Sequence, residues 1–112
     1  MPLPNIRGTQ IGLRDPTLVD RLKSEIVERR YAFDEDRGRI GGVIDSRGTH
    51  HVVDGHHRMA AAMELFREMG DDTAVLSLVH WGIWSHVEKP PVDSRPLPSR
   101  SKWGAFRNWL GF

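Results

Sequence analysis

The spacing of apolar residues changes several times along this chain, and each change marks an element. Leu18, Leu22 and Ile26 recur every four residues behind Asp15-Pro16, an N-cap followed by a proline at the first helical position. The spacing predicts a helix from about Pro16 to Arg30, preceded by a short extended start between Ile6 and Leu13. Beyond the polar turn Asp34-Glu35-Asp36-Arg37-Gly38, Ile40-Gly41-Gly42-Val43-Ile44 and Thr49-His50-His51-Val52-Val53 flank Asp45-Ser46-Arg47-Gly48. Two β-rich runs around a glycine-containing turn predict a β-hairpin.

Asp54-Gly55 interrupts the second run, and from His56 the period becomes helical. Met59, Ala62, Met63, Phe66 and Met69 fall on one side, and Gly70 offers a stop. The uninterrupted apolar stretch Thr73-Ala74-Val75-Leu76-Ser77-Leu78-Val79 is expected to be a strand buried on both faces. From Glu88 to Lys102, Pro90, Pro91, Pro96 and Pro98 predict an extended connector, and Trp103, Phe106, Trp109 and Leu110 a short amphipathic helix packed back on the domain. The expected architecture is an α/β (α+β) domain over residues 1–87, a small mixed sheet with flanking helices, and a connector with a basic helix over 88–112.

At 112 residues the chain suits one core, and its 38% hydrophobic content with 28% charge is that of a globular protein. The absence of cysteine removes thiolate chemistry and cysteine-ligated zinc. The first residues do not read as a signal peptide and no run is long enough to cross a membrane, so no membrane partner is expected and action in the cytoplasm is. Residues 1–88 carry 11 basic and 14 acidic side chains, residues 89–112 five basic and one acidic. The tail, with Arg100 and Lys102, is therefore a candidate contact for nucleic acid.

The candidate chemistry lies in Asp54-Gly55-His56-His57-Arg58. A helix opening directly after a strand and a glycine presents unpaired backbone N–H groups and a positive dipole end, which attract phosphate, and a guanidinium adds a fork suited to its oxygens. Gly55, His56, His57 and Arg58 are the candidate phosphate contacts. For phosphodiester cleavage, His56 or His57 would be the base, Arg58 the charge clamp, and Asp54 a metal ligand or a residue that orients histidine. The structural alternative makes Asp54 a helix cap and pairs Arg58 with Glu64 or another acid. His50 and His51 lie on a strand and point to opposite faces, so at most one can join the site. Asp45 and Arg47 suit the same groove or a solvated turn, and Trp84, with His80, Trp81 and His86, either stacks on a base or packs in the core.

The run Val53-Asp54-Gly55-His56-His57-Arg58-Met59-Ala60-Ala61-Ala62 resembles the signature loop and helix of the ParB/sulfiredoxin superfamily, and Leu13 to Leu22 resembles the start of its first helix. The resemblance implies a loop that binds nucleotide or nucleic-acid phosphates. Sulfiredoxins need a cysteine in this loop, which is missing, and ParB proteins carry a following helix-turn-helix domain for which 112 residues leave no room. It thus points to stand-alone ParB-like nucleases, some of them toxic domains of interbacterial effectors with an immunity partner. The expected function is DNA cleavage, with Mg²⁺ or Mn²⁺ as a candidate cofactor. The alternatives are a phosphotransferase or hydrolase of ATP or CTP using the same loop, and a nucleic-acid-binding module without turnover.

Overall fold

The computed structural model describes residues 3–100, and the expected helix over 103–112, like Lys102, lies outside them. Along the chain run β1 (Ile6–Arg7), α1 (Pro16–Val27), β2 (Gly41–Ile44), β3 (His50–Asp54), α2 (His56–Met69), α3 (Thr73–Trp81) and β4 (Ile83–His86), with a 3-10 turn at Asp36–Gly38. The four strands form one mixed sheet in the order β1-β3-β2-β4. The hairpin β2–β3 is antiparallel, and β1 and β4 flank it in parallel.

Alternation along β3 gives the sheet two unlike faces. Val52 is fully buried with Met59, Ala62, Val75 and Leu78, so α2 and α3 cover this face. His51 points the other way, toward the segment after β4, and its Nδ1 meets the Ser94 hydroxyl. Helix α1 packs on α2 through Val19, Leu22, Ala60 and Ala61, where alanines let the helix backbones approach. Asp15 caps α1 as expected, its carboxylate accepting from the Leu18 N–H at 3.3 Å. The helix ends at Val27, short of Arg30, because Arg29 turns into the left-handed region at φ 59°.

The stretch expected as a doubly buried strand is instead the helix α3. Ala74, Val75 and Leu78 form one buried stripe, while Asp71 accepts from the Thr73 N–H at 2.9 Å at the helix start. A continuous apolar run fits either a buried strand or a helix packed on a neighbour, and packing on α2 decides for the helix. The last strand among the described residues is Ile83–His86, one element later than expected.

The segment after β4 has little regular structure, as expected of a connector, yet it is docked. Gly8 and Arg95 exchange two backbone hydrogen bonds at 2.8 and 2.9 Å, and Pro98 is buried. Arg100 donates to Glu64 Oε1 at 2.7 Å and Asp20 Oδ1 at 2.8 Å, tying α1, α2 and the segment after β4 together. Lys23 adds a second cation to Glu64 at 3.2 Å. Burial pushes the Glu64 carboxyl up, but hydrogen bonds from Arg100 and Lys23 outweigh it and hold the group below its ordinary range.

A carboxyl depressed in the folded state stabilises above its unfolded value and loses that contribution as pH falls through the folded one. Urea midpoints should therefore decline below about pH 4.5, and Glu64→Gln should flatten that decline. Arg100→Ala should cost about 1–2 kcal/mol, between the exposed and the buried ion-pair limits, measured by urea denaturation at pH 7.

Candidate functional site

The candidate site begins where β3 hands the chain to α2. Gly55 stands at the N-cap with φ 103°, a region L side chains rarely adopt. A Cβ there would also lie 2.3 Å from Ile40 Cγ2, so both conformation and space require glycine. Met59 N–H is the first to reach a helical carbonyl, that of Gly55 at 3.0 Å. Among the described residues no side chain caps the helix start, which leaves the N–H groups of residues 55–58 for a ligand or water. Asp54, which the structural alternative made the cap, is the exposed last residue of β3.

This helix start forms one wall of a cavity of about 650 Å³ whose other walls come from α1 and from the chain between α1 and β2. Five arginines line it, Arg14, Arg21, Arg30, Arg37 and Arg58, against two carboxylates, Glu25 and Asp54. Arg30 is paired with Glu28 and Arg37 with Glu35, both at the exposed surface. Among the described residues no carboxylate pairs with Arg14, Arg21 or Arg58. Arg58 Nη2 donates instead to the Arg37 carbonyl at 2.8 Å, which spreads the guanidinium across the cavity. Glu64, the other partner considered for Arg58, is taken by Arg100 and Lys23. The Tyr31 hydroxyl donates to the Gly38 carbonyl at 2.5 Å, and burial pushes the phenol up to about 12, so it stays protonated.

The two histidines of the loop have separate surroundings. His56 is buried, with Nε2 accepting from the Thr9 N–H at 3.0 Å and a second hydrogen bond to the Val52 backbone. Burial lowers its pKa and keeps the ring neutral, so it joins β1's exit to α2 with no nitrogen left for a proton transfer. His57 is half-buried, and its Nε2 accepts from the Asp15 N–H at 3.0 Å, linking the starts of α1 and α2. A neutral His57 accepting at Nε2 carries its proton on Nδ1, which makes it a donor to a ligand oxygen. It can act as a base only by releasing Asp15.

The remaining candidates lie elsewhere. His50 and His51 face opposite sides of the sheet, and neither lines the arginine cavity. Trp84 on β4 packs edge-on to His50 and donates to the Val79 carbonyl at 2.9 Å, the packing role rather than the stacking one. Arg47 opens on a separate hollow with Asp45, while Arg100 is engaged by two carboxylates. Arg14, Arg21, Arg30 and Arg37 were not singled out from the sequence. Arg14, Arg21 and Glu25 are spaced by seven and four residues, two turns and one turn of a helix, on or just before α1, which could have signalled one shared polar face.

Asp54 and Glu25 are the carboxylates that could hold a metal in the cavity. Among the described residues no group of three His, Asp or Glu side chains could hold one alone. Such a site suits a magnesium ion that keeps its waters and is held chiefly by substrate phosphates. No protein-family profile, curated protein or solved structure matches this chain.

Gly55→Ala should cost 2 kcal/mol or more, read as a lowered urea midpoint, whereas Gly12→Ala, where a Cβ meets open space, should cost under about 1 kcal/mol. A buried histidine with a depressed pKa stabilises above its unfolded value and loses that contribution as pH falls below about 6.5. The melting temperature of the wild type should accordingly fall between pH 7 and 5.5, and less so in His56→Asn.

Proposed function

We propose that this chain is a hydrolase of nucleotide phosphate esters that seats the phosphates of its substrate against Gly55–Arg58. The observation that carries the reading is the cavity in which an uncapped helix start faces arginines from three other parts of the chain. Each of these features favours an anion, and together they match a ligand with several phosphate oxygens. The resemblance of Val53 to Ala62 to the ParB/sulfiredoxin loop supports the same substrate class.

The shape of the cavity favours a mononucleotide or a single-stranded end over an intact duplex. Its volume of about 650 Å³ is that of a small-ligand cleft. Arg47, Trp84 and Arg100, which would have extended a basic track, do not line it. In this reading water attacks phosphorus, and negative charge grows on the equatorial and leaving oxygens. Arg58 and the backbone N–H groups oppose that charge, Arg14 and Arg21 hold outlying phosphates, and His57 Nδ1 donates to one oxygen. Asp54, exposed at the lip of the cradle, is the carboxylate available to orient water or accompany a divalent cation, whose chemistry would be neutralisation of phosphate charge.

Purified protein incubated with ATP, CTP, single-stranded DNA, RNA and plasmid, with and without Mg²⁺ or Mn²⁺, distinguishes the forms of this activity. The expected result is turnover of a mononucleotide or a strand end. Arg58→Ala should weaken binding about 10- to 100-fold by calorimetry through loss of charge-assisted contacts, with the fold retained. His57→Ala should reduce kcat more than affinity. Cleavage of closed plasmid at the same loop would restore the duplex nuclease, with an immunity protein as its expected partner. Saturable binding without product would leave a nucleic-acid-binding module.

A further inference from the structure

The geometry points to a second reactive site on the opposite face of the sheet, in which Ser94 is a nucleophile activated by His51 and Asp45 and directed at small esters bearing an acidic group. Ser94 Oγ lies 2.9 Å from His51 Nδ1, and His51 Nε2 lies 2.9 Å from Asp45 Oδ2. Asp45 is fixed in turn, its Oδ1 accepting from the N–H groups of Arg47 at 2.9 Å and Thr49 at 3.1 Å. The His51 hydrogen bond, with these two backbone bonds in support, holds its carboxyl below the usual range. An ionised Asp45 requires the proton on Nε2, and that leaves Nδ1 as the acceptor for the serine hydroxyl. The orienting acid, the imidazole and the hydroxyl thus stand in the order that activates a serine. The two ring nitrogens exchange their customary places, which the chemistry permits because either can donate while the other accepts.

The surroundings say what such a serine would meet. His51 is 1% exposed, whereas Ser94 is half-buried at the edge of a hollow of about 390 Å³ between the hairpin turn and Pro90-Pro91. Arg7 Nε donates to Ser94 Oγ at 2.9 Å, a position from which a guanidinium opposes negative charge on the serine and on an oxygen bound beside it. Arg47 lines the same hollow, and among the described residues neither Arg7 nor Arg47 is paired with a carboxylate. Two such cations select a substrate with its own carboxylate, and the small volume selects a short acyl chain. The hollow shares no lining residue with the arginine cavity, so the two sites are separable.

In the reaction Ser94 Oγ bonds to the ester carbonyl carbon while its proton passes to His51 Nδ1. Arg7 faces the resulting oxyanion, and the imidazolium is balanced by Asp45. Collapse breaks the carbon–alkoxide bond, His51 returns the proton to the leaving alcohol, and water, deprotonated by His51, then releases the acid and regenerates the serine. No oxidant or reductant is involved.

The test uses the full chain with 4-nitrophenyl hemisuccinate as anionic substrate, 4-nitrophenyl acetate as neutral control, and a fluorophosphonate as covalent probe. Peptide mass spectrometry should place one adduct on Ser94, and the hemisuccinate should be cleaved faster than the acetate. Ser94→Ala should lose on the order of 100-fold or more in cleavage, and Arg58→Ala, which disables the phosphate cradle, should retain it. A wild-type protein with an adduct on any other residue, or with none, overturns the proposal, as does a folded Ser94→Ala variant that cleaves at the wild-type rate. Because the adduct is read on the wild type, instability of a variant does not blur the result.

Discussion

The left-handed backbone at Gly55 is the constraint on which the rest of this structure depends. It turns the chain from the last residue of β3 directly into α2, with no intervening loop, and it is possible only because glycine has no side chain to project into the space that Ile40 occupies. Ile40 is 1% exposed and belongs to the same buried cluster as Val52, Met59 and Leu78. The tight turn and the core are therefore one packing arrangement. The helix start is held in place because Val52 before the turn and Met59 after it are anchored in the interior. For the proposed function this supplies a preorganised anion cradle, since the N–H groups would need no rearrangement to receive a ligand.

Around that turn, the chain uses polar contacts to bring distant segments together. His56 joins α2 to the exit of β1, His57 joins it to the start of α1, and Arg58 joins it to the 3-10 turn before β2. Three consecutive residues at about 100° intervals on the helix reach three different neighbours. The residues that look most like a catalytic cluster in the sequence are thus also the ones that assemble the walls of the cavity. His56 is wholly committed to that task, His57 keeps one ring nitrogen for a ligand, and the Arg58 guanidinium has further N–H groups beyond the one given to Arg37.

Much of this was legible in the sequence where a local signal and the tertiary packing agree. Asp15-Pro16 marked the start of α1, Asp54-Gly55 the start of α2 and Gly70 its end, because capping and left-handed conformations are local requirements. The misreading of Thr73–Val79 has an equally physical origin. Its apolar residues carry no period, and only the presence of α2 alongside decides between helix and strand. The arginines opposite the cradle were missed because Arg14, Arg21, Arg30 and Arg37 are scattered over 24 positions and converge only when α1 packs on Ala60 and Ala61. The partners of Ser94 were equally invisible, since 43 residues separate it from His51.

The segment after β4 changes how the two faces of the sheet should be understood. As a solvated connector it would leave His51 and Asp45 facing water on an uncovered sheet. Docked, it supplies Ser94 to His51, closes β1 through the Gly8–Arg95 pair and carries Arg100 to the junction of α1 and α2. Arg100 is bonded to Asp20 and to the Pro16 carbonyl, so this segment stabilises the helix that carries Arg21 and that Arg14 immediately precedes. The proline-rich composition that suggested independence from the domain serves attachment here. A chain with restricted φ loses less entropy when it is laid along a surface in an extended form, so a few hydrogen bonds and ion pairs suffice to hold it. Of the cations in this region, Arg100 is accordingly directed inward at Glu64 and Asp20, and the arginines that line the cavity are those of α1 and its flanking loops, with Arg58.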